Sequence, residues 1–395
     1  MSSVNQGSPV GPGSPAGEPL PDLPGKLDVQ VLSPVLVVGA GLMGTSVGLA
    51  LRAHGVEVCL IDPNEAAAAL AQDLGAGTAG LPADERPPQL VVLATPPAAI
   101  ASSLFALHRR YLHATFTDLA SVKSLPQREA EGLACDLTRF VGGHPLAGRE
   151  RSGAGAARAD LFEGRPWVLT PSAHSSALAL LRAETLVQLC GAQLVVMTPE
   201  RHDEAVALVS HVPQLVASLT AARLVGAADD LVELAGQGLR DVTRIAASDP
   251  GLWTEILTAN APFVHRILEQ FSDDLTELLD DLASVEESMD REIDKPPLAP
   301  FVDLLERGNA GHRRIPGKHG APAATYQQVR VVLADSPGEL ARLFLACGEA
   351  GINVEDVSIE HSPGQPVGLV ELAVRPAVAP QLADALREAG WSVHG

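Results

Sequence analysis

One six-residue turn constrains this chain more than any other feature. Gly39-Ala40-Gly41-Leu42-Met43-Gly44 stands between the apolar run PVLVV and the helical stretch GTSVGLALRAHG. In that strand–turn–helix setting each glycine has a physical task. Gly39 permits the tight turn, and Gly41 lets a pyrophosphate approach the backbone. Gly44 lets the helix pack against the sheet, with its N-terminal dipole facing the phosphates. Leu42 and Met43 belong to the same expected cofactor set. Asp62 ends the next strand, 23 residues after Gly39. A carboxylate there accepts ribose hydroxyls and repels a 2′-phosphate, so the expected cofactor is NAD rather than NADP. Thr95, before Pro96-Pro97, either lines the nicotinamide side or sits in a plain loop.

The chain has 395 residues, long for one hydrophobic core. The runs 34–39, 56–62, 89–95, 114–119, 139–143, 165–170 and 192–198 are short, rich in β-branched residues and bounded by Gly, Pro or polar residues, so they read as strands. Several alternate with stretches long enough for crossover helices. The expected fold class is α/β, a Rossmann-like doubly wound parallel sheet over 33–197. At Thr198 the pattern changes: Thr198-Pro199-Glu200 is a helix start, and only helical patterns follow to about residue 306. An all-helical domain with so much apolar surface is expected to bind substrate and to bury part of itself in a homodimer. Residues 307–325, RGNAGHRRIPGKHGAPAAT, read as a basic linker, and 326–395 as a ferredoxin-like βαββαβ domain. Residues 1–30, rich in Pro, Gly and Ser, are expected to be disordered.

The 48 acidic residues outnumber the 28 basic ones, giving a formal charge of -20. That balance disfavours nucleic acid and anionic membranes as partners. No apolar run is expected to reach the roughly 20 residues of a membrane helix, and the first residues lack the pattern of a secretory signal. Cys59, Cys135, Cys190 and Cys347 are far apart with no zinc spacing, which implies no metal site and a reducing, cytoplasmic setting.

Two segments follow strands where ligands bind in such sheets: Asp118-Leu119-Ala120-Ser121-Val122-Lys123 and Gly143-His144-Pro145-Leu146-Ala147-Gly148. Ser121 and His144 are therefore expected to meet near the nicotinamide. An imidazole suits removal of a hydroxyl proton as hydride leaves the same carbon. Taken alone, a His before Pro is more often structural. Arg240 and Arg244, four apart, share a helix face and match a dianionic substrate, unless they serve in salt bridges with Asp241 and its neighbours. His211 and Gln214 project to one side, toward substrate or toward buried hydrogen bonds. A β-hydroxyacid dehydrogenase has a similar glycine start, but such enzymes rely on a lysine where this chain offers Arg240 and Arg244. An NAD-linked amino-acid sensor without catalysis is the other alternative.

Taken in order, GAGLMGTS, DLASVK, GGHPLAGRERSG, SHVPQ and LRDVTRIAASDPGLW make the chain resemble the prephenate and arogenate dehydrogenase family over about residues 33–300. The resemblance implies NAD-dependent oxidative decarboxylation of prephenate to 4-hydroxyphenylpyruvate, with arogenate as the alternative substrate. It further implies that His144 is the base, Ser121 hydrogen-bonds both the substrate hydroxyl and that base, and Arg244 binds a carboxylate, with Arg240 at a position often basic. Gln214 departs from the family, where a second histidine is common, and puts substrate affinity or choice in question. The C-terminal part resembles an ACT-type domain in Asp335-Ser336-Pro337-Gly338-Glu339-Leu340 and Gly351-Ile352-Asn353-Val354. That resemblance implies feedback binding of tyrosine through Asp335, Gly338 and Asn353 at a paired interface.

Overall fold

The computed structural model describes residues 29–148, 153–290, 299–315, 326–361 and 367–394. Residues 1–28 of the segment expected to be disordered, four residues of GRERSG and most of the expected linker fall outside them, while Val29–Val31 form a short 3-10 turn.

Eight strands form the first sheet: β1 (Val35–Val38), β2 (Val58–Ile61), β3 (Thr78–Ala79), β4 (Leu90–Leu93), β5 (Thr115–Asp118), β6 (Phe140–Pro145), β7 (Pro166–Pro171) and β8 (Gln193–Val196). Their order is β3-β2-β1-β4-β5-β6-β7-β8. Strand order reverses at β1, which opens a crevice at its C-terminal end beside β4. The helices are α1 (Leu42–Ala53), α2 (Glu65–Asp73), α3 (Pro97–His108), α4 (Ser124–Gly132) and α5 (Ala177–Leu189).

Side-chain alternation in β1 explains why both faces are covered. Val35 and Val37 join a core with Val47 and Leu51 of α1 and Leu186 of α5. Leu36 and Val38 join another with Ile100 and Leu104 of α3 and Ala130 of α4.

The expectation of an all-parallel sheet is corrected at one place. β7 runs antiparallel to β6, with His144 opposite Val168 and Gly142 opposite Thr170. A parallel return needs a crossover of a dozen or more residues, usually a helix. Among the described residues of 146–165 only the short turn Ala154–Ala156 is helical. The chain regains its α/β rhythm through α5, so β8 lies parallel to β7.

Beyond β8 come α6 (Pro199–Val206), a π-turn (Ala207–His211), α7 (Val212–Ala222), α8 (Asp229–Val232), α9 (Gln237–Thr243), α10 (Pro250–Ala259), α11 (Ala261–Asp290) and α12 (Ala299–His312). Thr198 caps α6, its hydroxyl accepting from the Arg201 amide at 3.2 Å. The run Pro199–Ala222 spans 24 residues at a mean hydropathy of 1.5, long and apolar enough to cross a membrane. That corrects the expectation that no such run exists. Four of its polar residues, His202, Asp203, His211 and Gln214, are buried and hydrogen-bonded within the protein.

The linker expectation also changes, because 307–312 belong to α12. The Arg307 guanidinium reaches Asp303 one turn back at 2.9 Å and Asp274 of α11 at 3.1 Å. These pairs support the helix through two glycines that disfavour it.

The remaining described residues form β9 (Gln327–Ala334), α13 (Glu339–Glu349), β10 (Asp356–His361), β11 (Val367–Val374), α14 (Ala379–Glu388) and β12 (Ser392–His394). The antiparallel sheet has the order β10-β11-β9-β12. Val331, Leu343, Val370, Leu382 and Leu386 fill its separate core.

Candidate active site

The glycine turn ends β1 and opens α1. Gly39 adopts a φ of +107°, and a Cβ there would lie 2.4 Å from the Ala94 carbonyl oxygen. A Cβ on Gly44 would lie 1.9 Å from the Gly39 oxygen, whereas one on Gly41 would meet nothing within 4 Å. Packing thus requires two of the glycines, and the third keeps the surface open. Asp62 follows β2 and braces this turn, accepting from the Ala40 amide at 2.7 Å and the Asn64 amide at 2.8 Å. Each carboxylate oxygen keeps acceptor capacity beyond those bonds.

Leu42 and Met43 are half-buried and pack their side chains on the core, so only their first-turn amides are placed for a ligand. The buried Thr95 hydroxyl after β4 has no hydrogen-bond partner among the described residues. An open cradle at a helix N-terminus, a carboxylate at the end of β2 and an unused hydroxyl fit a bound NAD.

At the same end of the sheet β5 and β6 deliver the polar cluster. His144 Nδ1 lies 2.8 Å from His202 Nε2, with the rings edge to face. His202 Nδ1 lies 2.8 Å from Asp203 Oδ1. Asp203 accepts in turn from the Lys123 and Ser124 amides, both at 2.8 Å. Burial depresses the His144 pKa well below that of free imidazole, reinforced by the fields of His202, Lys123 and His211. His202 is depressed as well, chiefly by burial, against the opposing pull of Asp203. Ser121 lies three residues beyond β5, half-buried, and its hydroxyl has no partner among the described residues. The two side chains leave neighbouring strand ends, but the expected hydrogen bond between Ser121 and His144 is not made among the described residues; the His144 Nδ1 partner is His202 instead.

Lys123 and Asp118 pair below this cluster, each with about 1% of its side chain exposed. The Lys123 ammonium also donates to the Gly143 carbonyl at 2.6 Å, and Asp118 accepts from the Gly143 amide at 3.0 Å. The pair therefore locks the backbone that carries His144. A side chain at Gly143 would press to 2.7 Å from the Asp118 carbonyl oxygen.

The helical region closes one side. The π-turn shifts the helix phase and buries His211, whose Nδ1 lies 3.0 Å from the Asn260 amide nitrogen. That amide also donates to the Asp203 carbonyl at 2.9 Å. The His211 Nδ1 is accordingly an acceptor and the ring proton sits on Nε2. Burial lowers the His211 pKa to about 4. Trp253 of α10 stands edge-on to the ring at 6.0 Å. Gln214 donates to the Ser248 hydroxyl at 2.7 Å and so ties α7 to the turn that follows Arg244.

Arg240 lies in α9, and Arg244 continues the same helical path after it. Both are exposed and neither forms an ion pair among the described residues, so the Asp241 salt bridge is not made. Asp241 instead accepts from Gln237 at 2.7 Å.

In the C-terminal unit, Gly338 holds a φ of +93°, the left-handed region that a turn glycine supplies. The residues expected to hold a regulatory ligand do not share one cavity. Asp335 and Gly338 line a cavity of about 370 Å³, whereas Asn353 lines another of about 470 Å³ and donates to Glu355 at 3.0 Å. Within one chain these residues thus line separate cavities.

Sequence reading passed over His202, Asp203 and Asn260. The first two stand in TPERHD, directly after the recognised helix start. An adjacent His and Asp both buried toward one strand end leave no periodic signal.

A glycine cradle for a dinucleotide and a neutral histidine at the same strand ends define an NAD-dependent dehydrogenase. Comparison with known proteins narrows the class. Residues 47–210 match the family model for the prephenate dehydrogenase nucleotide-binding domain, and 198–292 match the one for its dimerization domain. A probable prephenate dehydrogenase of Streptomyces niveus, NovF, is 40% identical across 91% of this chain and 99% of its own. The prephenate dehydrogenase of Bacillus subtilis is 31% identical, covering 84% of this chain and 89% of its own. The chain belongs to the prephenate dehydrogenase family.

Solved structures agree on the first two regions. The Aquifex aeolicus prephenate dehydrogenase with hydroxyphenyl propionate and NAD+ superposes with a TM-score of 0.59 at 29% identity, covering 70% of this chain and 97% of its own. A Synechocystis arogenate dehydrogenase gives 0.58 at 27% identity, covering 70% and 98%.

Proposed function

We propose that this protein oxidises prephenate with NAD to 4-hydroxyphenylpyruvate and CO2, a step toward tyrosine. The reading rests on one observation: His144, neutral and fixed at a strand end, stands at the same edge of the sheet as the glycine turn and the unpartnered Ser121 hydroxyl. Gly39, Gly41, Gly44, the amides of Leu42 and Met43, Asp62 and Thr95 would hold NAD. Bound NAD supplies the two-electron acceptor.

Ser121 orients the ring hydroxyl, and His144 takes its proton as the carbinol carbon is oxidised. The ring then carries a carbonyl opposite a quaternary carbon bearing a carboxylate. That carbon–carboxylate bond breaks, CO2 leaves, and its electron pair makes the ring aromatic. His144 returns the proton to the phenolate oxygen. Arg244 anchors a substrate carboxylate through paired donors, with Arg240 adding positive field, His211 offering its Nε2 proton, and Gln214 holding the Arg244 turn through Ser248.

Replacing His144 with Asn tests the assignment. Turnover of prephenate should fall about 10²- to 10⁴-fold, while NAD affinity measured by fluorescence titration stays within error. Unchanged turnover would refute the role. Parallel assays with arogenate decide which of the two acids is preferred.

The βαββαβ order with central strands β9 and β11 supports a ferredoxin-like, ACT-type unit that binds tyrosine as a feedback ligand. Calorimetric titration with tyrosine, with Gly338→Val as the control, tests that reading. A homodimer is supported by the exposed row Phe271, Leu275, Leu279 and Leu282 on α11. Four unpaired, buried cysteines fit a cytoplasmic setting.

A further inference from the structure

The chain His144–His202–Asp203 has a direction, and the direction is fixed at its far end. Asp203 is 1% exposed, and its depressed pKa, which the His202 bond and backbone amides secure against burial, makes it an acceptor only. His202 must then donate from Nδ1, which leaves its Nε2 a bare acceptor. His144 must donate from Nδ1 into that acceptor, which leaves His144 Nε2 without a proton. Three observations reinforce this order. Burial keeps both rings neutral. The Lys123 and Ser124 amides occupy the Asp203 oxygens and hold the carboxylate in place. The Lys123 ammonium, already bound to Asp118 and the Gly143 carbonyl, forms no bond to either ring.

The chain also ends inside the protein. Beyond Asp203 lie backbone amides, the buried Ser124 hydroxyl and, through its carbonyl, Asn260 and His211. Among the described residues it therefore offers no route by which a proton could leave for solvent. The chemistry requires none. A doubly charged substrate and a singly charged oxidised cofactor become a singly charged keto acid, neutral CO2 and the reduced cofactor, with the hydroxyl hydrogen retained in the phenol. No net proton appears.

We propose that His202 and Asp203 are positioning residues forming a closed acceptor chain, which keeps His144 Nε2 bare at rest and holds the proton between its removal and its return. This proposal rests on the prephenate reading for the second half only. The resting tautomer can be tested without substrate.

Nitrogen-15 NMR of histidine-labelled full-length protein should show His144 and His202 both protonated at Nδ1 and bare at Nε2. A His144 ring protonated at Nε2 overturns the proposal whether or not prephenate is oxidised. In kinetics, His202→Phe keeps a ring but removes the acceptor. It should lower kcat about a hundredfold or more, as loss of tautomer control does in other histidine bases, with NAD affinity retained. His202→Gln places an amide oxygen near the lost Nε2 and should recover at least about tenfold of that loss. Lysine 123, histidines 202 and 211, and the carboxylates of Asp118 and Asp203 all face this cluster. With His202 gone, one of the fields that depress the His144 pKa is lost, so the acid limb of kcat/KM in His202→Gln should move to higher pH. A folded His202→Phe protein with wild-type kcat and an unmoved pH profile overturns the proposal. So does an equal loss in the Phe and Gln variants at matched melting temperature, since bulk structure rather than an acceptor would then be at issue.

Discussion

Three histidines sit in one small volume, and each is held neutral for the same reason: burial removes the water that would stabilise its charge. The consequence for stability has a definite sign. The folded pKa of His211, about 4, lies below the 6.5 of free imidazole. Between those values the unfolded chain binds a proton that the folded chain refuses. Stability is full above pH 6.5 and declines as pH falls toward 4, by about 3 kcal/mol from His211 alone. His144 and His202 act in the same direction. Urea midpoints measured at pH 7 and pH 5 should differ, the lower pH giving the earlier midpoint. Equal midpoints would mean the imidazoles are hydrated rather than buried. At this scale the sequence was legible where a residue's task is stereochemical. Gly39 and Gly44 are required by backbone atoms only two to three ångströms away, and an ordered GxGxxG announces that need. Asp203 was illegible because its importance lies in four contacts from three separate segments.

Elements follow local signals faithfully until tertiary contacts outweigh them. All seven expected strands formed, since short apolar runs bounded by turns have few alternatives. The direction of β7 was not legible, because strand polarity is decided by what lies between strands, and a loop of small residues looks the same from either side. The two-residue β3 carries no pattern to read and exists by pairing with Cys59 and Leu60 of β2. α12 shows the opposite failure. Glycine and proline around RGNAGHRRIPG suggested a linker, yet Arg307 gains two carboxylate partners by staying helical. Arg307→Ala should therefore fray the end of α12. Amide hydrogen exchange over 307–312 would quicken while the melting temperature barely moves. Protection unchanged in the variant would show that the ion pairs follow the helix rather than hold it.

For the whole molecule, apolar surface left uncovered is the chief clue to assembly. On α11, Phe271, Leu275, Leu279 and Leu282 are each about half exposed, spaced three to four apart on a helix of thirty residues. A stripe of that length on one helix is rarely left to water. The double substitution Leu275→Asp with Leu279→Asp should convert a dimer to a monomer, read by light scattering, with the Rossmann-like region still binding NAD. A mass unaffected by the two charges would place the contact elsewhere.

The divided cavities of the C-terminal unit carry a consequence for mixed populations. If a tyrosine molecule spans Asp335 of one copy and Asn353 of another, two separately defective proteins can repair each other. An Asp335→Ala protein and an Asn353→Ala protein, each silent alone, would on random subunit exchange regain about a quarter of the wild-type binding capacity, because half the pairs are hybrids and each hybrid has one undamaged site. Two lesions within a single self-contained pocket would show no such complementation.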